Sequence, residues 1–497
     1  MTQTGSPRQQ PRVAIVGGGF GGLAVAIKLA QAGHREMTVY ERAHTIGGTW
    51  QANTYPRIAC DAPSHIYSFS YAPNPGWSHR FAPGAEIQAY LERCVDEAGI
   101  RHQVRTGCTV RSATWNGACW RLLLDDGSET EADVLVPACG PLSVPKLPAI
   151  PGLETFAGEQ WHTAQWRHDV DLSGLRVGVV GTGASAVQVV PWIADRATRL
   201  TVFQRTAPYV FAKPDVEYQG HLKAFYAKFP AAQRFSRGGI KWHFELINLA
   251  FWLQPSAARI LEVMHRKYLE SVVSDPDLRK TLTPGYRAGC KRPAMDSEYY
   301  PALALPHVDV ETSGIARVEP AGVQLADGGF VGLDVLVFAT GFDTNGFATS
   351  MEIRGRDDVE LQEAWHDGAR AFLGLSVPRF PNMFLIYGPN TNLGAGSILM
   401  MIEAQAAHVA AAVRILAESP EPLEVRPDAF EKEDRRLTRM LPRTIWSTGC
   451  GNWYRDRTGR DTHNWPGSMA GYRRRTAQVR ASEYRRLPVT VHTSADA

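Results

Sequence analysis

The sequence predicts an α/β protein carrying two Rossmann-like dinucleotide-binding domains and a helical insertion. Three observations carry that prediction. They are a glycine-rich turn between strand and helix patterns near the N-terminus, a second such turn at Gly181, and a stretch from 213 to 289 with few β runs.

The first element is "RVAIVGGGFGGLAVAIKLAQAGHREMTVYER". An apolar run, Val13 to Val16, enters Gly17-x-Gly19-x-x-Gly22, followed by a helical pattern and a second strand ending near Glu41. A tight glycine turn lets the backbone approach a pyrophosphate, and the helix N-terminus faces its negative charge. Glu41, 24 positions after Gly17, is placed to accept hydrogen bonds from ribose hydroxyls.

The second element is "LRVGVVGTGASAVQVVPWIADRATRLTVFQRTAP". Val177 to Val180 form its strand, the turn reads Gly181-x-Gly183-x-x-Ala186, and Arg205 stands where the first element has Glu41. An acid there repels a 2′-phosphate, whereas a guanidinium pairs with it. The first site therefore suits FAD or NAD, and the second suits NADPH. Two further strands, in "DVLVPACG" (133–140) and "DVLVFATGFD" (334–343), run into small glycine turns that can return the chain beside each nucleotide. The proline-rich "GPLSVPKLPAIPG" (140–152) reads as a semi-rigid linker between the halves.

Composition narrows the class. A hydrophobic content of 44% with 21% charged residues is that of an ordinary soluble globular protein, and 497 residues allow two to four domains. A formal charge of +3 argues against an extended nucleic-acid-binding face. The seven cysteines form no CxxC pair, so they predict no metal site and no disulfide framework, only reduced thiols in a cytoplasmic protein. The polar N-terminus "MTQTGSPRQQPR" reads as flexible and is no secretory signal. The best membrane candidate, "FELINLAFWL" from Phe244 to Leu253, is too short to span a bilayer, so no integral membrane insertion is expected.

Without paired cysteines beside the flavin the chain is no disulfide reductase, and a simple oxidase has no use for NADPH. An NADPH-driven reductase or a flavin monooxygenase remains. Phe156-x-Gly158-x-x-x-His162-x-x-x-Trp166 resembles the fingerprint of type I Baeyer–Villiger monooxygenases, in which this segment lies between the domains and its His influences domain movement. A hydrogen-bonded loop cap is the alternative role for His162. "GGTWQANTYPRIACD" matches a second family pattern through Gly48, Trp50, Tyr55, Pro56 and Asp61. "CDAPSHIYSFSY" and "GPNTNLGAGS" (388–397) are also typical of it. Arg57 and Arg167 depart from the family's usual residues. The resemblance covers about residues 10 to 480.

The resemblance implies an FAD domain from 1–150 and 380–497, an NADP domain from 151–212 and 290–379, and a helical insertion over 213–289. It implies that NADPH reduces FAD and that O₂ then adds to give a flavin C4a-peroxide. This attacks a ketone, a carbon migrates, and an ester or lactone forms. By match to the family's Lys-Arg pair in "AGCKRPAMDSEYY", Arg292 would stabilise the peroxide and the intermediate, with Asp61 orienting its guanidinium. Lys291 would join Arg205 and Thr206 at the 2′-phosphate. Trp453, with Trp465 competing, resembles a tryptophan that closes over the nicotinamide. The arginine-rich tail "YRRRTAQVRASEYRR" reads as a solvated helix, and "IYSFSY" and "WHFELINLAFWL" as walls of an apolar ketone pocket. The alternatives are an N- or S-oxygenating flavin-containing monooxygenase, which leaves the carbonyl intact, and a noncatalytic redox sensor. Asp61, Arg292 and Trp166 favour the Baeyer–Villiger reading.

Overall fold

The computed structural model describes residues 10–253, 256–344, 347 and 351–488, so most of the N-terminal stretch read as flexible lies outside them. Two parallel sheets organise the chain. The first has the order Val104–Thr106, Met37–Glu41, Val13–Val16, Val134–Pro137. In it Val13 lies opposite both Met37 and Val134. The second has the order Val308–Glu311, Arg199–Phe203, Arg176–Val180, Val335–Phe338, Glu159–His162. Its central strands are apolar at nearly every position because helices cover both faces of such a sheet.

The two halves repeat one plan. In each, a glycine turn joins the first strand to a helix, Phe20–Gln31 or Ala184–Ala194. In each, an antiparallel meander, Val110–Ala132 or Ile315–Gly332, precedes the last strand of its sheet in chain order, Val134–Pro137 or Val335–Phe338. The turns are pinned identically. Gly17 and Gly181 have φ of 116° and 111°, and a Cβ on either would lie 2.5 Å from a carbonyl oxygen, of Ala138 or of Ala339. Only glycine fits such a place.

The helix Leu399–Glu418 is long and apolar enough to cross a membrane by composition, yet it is a core element. Its Ile402, Ala406, Val409 and Val413 share one apolar cluster with Leu23 and Ile27 of the first glycine-turn helix. The C-terminal part of the chain thereby completes the core around the first sheet. Between the two strands Arg199–Phe203 and Val308–Glu311, the chain forms the helices Gly220–Lys228, Pro230–Leu253, Ser256–Val272 and Pro276–Thr281.

Three expectations are corrected. The segment 156–166 is more than a crossing, since Glu159–His162 pairs in register with Val335–Phe338 as an edge strand. The arginine-rich tail is no single solvated helix. Helix Met469–Thr476 ends early, and Tyr484–Arg486 pairs antiparallel with Leu423–Val425. Arg475 and Arg485 turn inward to the buried Glu433 and Glu424, because a buried carboxylate needs a cation more than the tail needs water.

The third correction concerns the cysteines. Cys290 and Cys450 form a disulfide across 160 positions, a pairing between distant segments that no local spacing announces. The other five are thiols outside any disulfide. Cross-linking so long a loop removes about 5 kcal/mol of unfolded-state entropy in the chain-entropy account. Thiol titration of the denatured protein should therefore detect five groups before reduction and seven after it, and reduction or Cys450→Ser should lower Tm by several degrees. Seven thiols before reduction would show the cysteines reduced, as the sequence predicts.

Candidate active site

One cavity of about 1560 Å³ reaches both glycine turns. It is larger than the roughly 300–1000 Å³ that holds one drug-sized ligand, as a site for two dinucleotides and a substrate must be. Gly17, Gly19, Glu41, Trp50 and Asp61 line it from the first half. Gly181, Gly183, Arg205, Thr206, Lys291 and Arg292 line it from the second, and Trp453 from the C-terminal segment. Gly22 and Ala186 lie behind their turns, where Ala186 is fully buried against the second sheet.

The first turn fits a dinucleotide. A Cβ on Gly48 would stand 3.0 Å from the Cα of Gly19, so two backbone stretches approach each other without side chains. Glu41 is buried, and its carboxylate accepts N–H bonds from Gly18 at 2.7 Å and Ala43 at 2.8 Å. Those bonds fix the acid at the mouth of the turn while leaving acceptor capacity for ribose hydroxyls. Trp50 donates its Nε1–H to the Tyr67 hydroxyl at 3.1 Å, which holds its ring at the cavity wall.

The second turn has the opposite character. Arg205 is exposed and makes no ion pair among the described residues. Lys291 lies close enough for burial, and then the Arg205 charge, to lower its pKa. Two cations that repel each other in this way gain when a phosphate dianion enters between them. The carbonyl of Thr206 accepts from the Thr182 hydroxyl at 3.0 Å, tying strand end to turn.

Asp61 and Arg292, 231 positions apart, meet in a two-pronged ion pair. Arg292 Nη2 and Nε donate to the two carboxylate oxygens at 3.0 and 3.1 Å. About a third of each side chain stays open to the cavity. The charge of Asp61 raises the guanidinium's already high pKa. Burial pushes the Asp61 carboxyl up, but the charge and hydrogen bonds of Arg292, with Lys213 adding to them, hold it below the ordinary carboxylate range. A depressed carboxylate pKa keeps the pair charged at neutral pH, and the pair is lost only as pH falls through that depressed value.

The loop carrying Asp61 is stapled to the second half along its length. The Thr54 hydroxyl meets His168 Nε2 at 2.9 Å. Tyr55 inserts into the second core and donates to Gln188 at 3.2 Å, while Gln188 also bonds the Ala59 backbone. Arg57 takes φ of 65° and pairs with Asp296 at 3.3 Å and Glu298 at 2.9 Å. Arg57, where the chain departs from the family pattern, thus adds an ionic clasp between the halves. Arg167, the other departure, pairs with Glu159 and Asp169 on the surface.

The fingerprint residues take structural places. His162 is buried, and its Nδ1 accepts the Ala164 N–H at 3.1 Å, so it caps the short turn that follows. Burial lowers its pKa and keeps it neutral. Trp166 packs edge-on to Trp161 and Trp192. Of the two C-terminal tryptophans, Trp453 faces the cavity, while Trp465 is core, against Tyr472.

The apolar walls differ from expectation. Of "IYSFSY" only Tyr67 lines the cavity, and Phe69 stacks on Tyr71 beneath it. No described residue of "WHFELINLAFWL" lines it; the side chains of 250–253 lie outside the described residues. A long helix has two faces, and the packing of this one turns Trp242 and Leu246 to solvent. Sequence reasoning missed Tyr387 and Asn392, which line the cavity joined by a 2.7 Å hydrogen bond. Burial pushes the Tyr387 phenol up to about 12, so it stays a neutral donor. The signal was its position just before "GPNTN".

Residues 11–220 match the family model of the pyridine nucleotide-disulphide oxidoreductases. A Baeyer–Villiger monooxygenase of Streptomyces coelicolor is 42% identical over 481 residues, which cover 96% of this chain and 92% of that one. A Baeyer–Villiger monooxygenase of Pseudomonas aeruginosa is 37% identical, covering 95% and 91%. Among solved structures, an oxidised steroid monooxygenase bound to NADP matches with a TM-score of 0.84 at 30% identity, over 94% of this chain and 97% of that one. Cyclohexanone monooxygenase from Rhodococcus sp. Phi1 bound to NADP⁺ matches with a TM-score of 0.84 at 27% identity, over 94% and 96%. With two glycine turns opening on one cavity and relatives matched along nearly their whole length, the chain belongs to the Baeyer–Villiger monooxygenases.

Proposed function

We propose that Asp61 and Arg292 carry the oxygen insertion of this enzyme, and that Arg205 and Lys291 select NADPH. As a Baeyer–Villiger monooxygenase, the chain is an FAD-dependent enzyme that uses NADPH and O₂ to place one oxygen atom beside a ketone carbonyl. The product is an ester or lactone, and the second oxygen atom leaves as water. Gly17, Gly19, Gly22, Glu41 and Trp50 would hold FAD, which, once reduced, supplies the activation of O₂. Gly181, Gly183, Ala186, Arg205, Thr206 and Lys291 would hold NADPH, with Trp453 over its nicotinamide side.

The observation that carries the reading is the bidentate pair inside the shared cavity. A permanently charged guanidinium, aimed by a carboxylate, stabilises negative charge that grows on oxygen when a ketone is attacked. It needs no proton of its own, so its charge does not vary with pH near neutrality. Asn392 takes the Tyr387 proton on its Oδ1 and gives one Nδ2 proton to Asn464, which leaves one neutral amide N–H nearby, and Trp50 and Tyr67 help exclude water from that wall. A cytoplasmic location, where NADPH is regenerated, belongs to this reading.

Arg292→Ala should retain FAD and NADPH oxidation but lose ester formation by about 10²-fold or more in kcat, as when an oxyanion donor is removed. Product mass analysis alongside NADPH consumption reads both, and undiminished ester yield would sink the assignment. Asp61→Asn should keep some turnover, since it misaims the guanidinium without removing it.

Arg205→Ala should raise KM for NADPH roughly 10- to 100-fold, the worth of one charged hydrogen bond, and leave KM for NADH unchanged. An equal loss with both nucleotides would place Arg205 away from the 2′-phosphate.

A further inference from the structure

The helix Pro230–Leu253 has two unlike faces. Its inner face is fastened by specific bonds. Gln233 donates to the Asn74 carbonyl at 2.6 Å, and Arg237 to the carbonyls of His65 and Ser68 at 2.7 and 2.9 Å. Asn248 exchanges two bonds with the Ala395 backbone, at 3.0 and 3.1 Å. The adjoining Gly396 and Ile398 line the active-site cavity, so this helix backs its wall.

The outer face carries Phe235, Trp242, Leu246 and Leu249, which are 85%, 70%, 63% and 46% exposed. Their spacing of seven, four and three places them on one stripe of the helix. Scattered exposed apolar side chains are ordinary, but an aligned stripe holding a Phe and a Trp is not. Nine of the fifteen large exposed hydrophobic side chains among the described residues fall between 225 and 264.

Charge decides what this face fits. Residues 220–272 hold eight Lys or Arg and three Asp or Glu, a net of +5 within a chain whose total is +3. Lys228, Arg234, Arg259, Arg266 and Lys267 are exposed, and no ion pair engages them among the described residues. A second copy seated on this face by two-fold symmetry would bring like charges together. A bilayer with anionic headgroups meets both features at once, taking the Phe and Trp rings at the headgroup boundary and pairing with the free cations.

We propose that the outer face of Pro230–Leu253 and its neighbouring helices is a peripheral docking surface for an anionic lipid bilayer. The contact is a surface one and needs no helix to cross the bilayer. It also sets the cavity wall behind the membrane boundary, where an apolar ketone concentrates. That last consequence rests on the ketone reading, whereas the docking itself does not.

Flotation of the FAD-loaded full-length protein with vesicles tests it. The protein should float with vesicles of equal parts phosphatidylcholine and phosphatidylglycerol at low salt. It should float far less with phosphatidylcholine alone. Trp242→Glu with Leu246→Glu should cut binding at least about tenfold while leaving ester formation from a water-soluble ketone intact. Lys228→Glu with Arg234→Glu, which alters only exposed charges, should act in the same direction without touching the apolar stripe. Failure of the wild-type protein to float with anionic vesicles would overturn the proposal. So would a concentration-dependent dimer, seen by sedimentation, that the Trp242 and Leu246 substitutions dissolve. Loss of ester formation in unaltered protein would instead strike the oxygenation reading and leave the lipid result standing.

Discussion

The proposed active site depends on bringing Asp61 from one half of the chain against Arg292 from the other. Such a pair is a poor investment for stability. At an effective dielectric of about 20 two charges 4 Å apart attract by roughly 4 kcal/mol. Removing both from water costs several kcal/mol per ion as burial becomes complete. The cavity leaves each side chain about a third open, which reduces that cost and keeps the guanidinium reachable. The fold then has to hold the halves in register. It does so through Tyr55, Arg57 and Ala59 on one side and Gln188, Asp296 and Glu298 on the other. Cys290 adds a covalent tie from the residue next to Lys291 to the segment that carries Trp453.

The α/β architecture was legible because it rests on local signals. Val13–Val16 and Val177–Val180 are apolar runs ending in glycines that sterics make obligatory, so turn, strand and helix announce one another within a short span. Glu41 and Arg205 could be compared because each lies the same distance from its first glycine. The pairing of Asp61 with Arg292 was not readable from spacing at all. It came from the family resemblance, and the structure places the two side chains in contact.

What stayed hidden is long-range. Cys290 and Cys450 share no local pattern, and two cysteines far apart become partners only once the fold brings their segments together. "WHFELINLAFWL" was misassigned because an apolar stripe says that a face avoids water without saying what it meets. The inner polar anchors Gln233, Arg237 and Asn248, unremarkable in sequence, decide which side of that helix turns outward. The tail failed for the same reason. Most of its arginines are exposed as read, but Arg475 and Arg485 pair with Glu433 and Glu424, whose burial no local pattern announces.

The two halves share a plan yet treat their nucleotide acids and bases differently, and that difference fits two modes of occupancy. Glu41 is buried and already fixed by two backbone N–H groups, so its acceptor geometry is set before any ribose arrives. Such preorganisation reduces the ordering cost of binding and suits a cofactor that stays. Arg205 is exposed and makes no ion pair among the described residues, with Lys291 repelled beside it, a local excess of charge that a phosphate would relieve. In the proposed reading, binding there gains when an anion enters between the two cations, which suits a nucleotide that exchanges. In the proposed reading, one architecture serves a resident and an exchanging nucleotide through the residues at its strand ends and their neighbours, with the Asp61–Arg292 pair in the cavity that both turns reach.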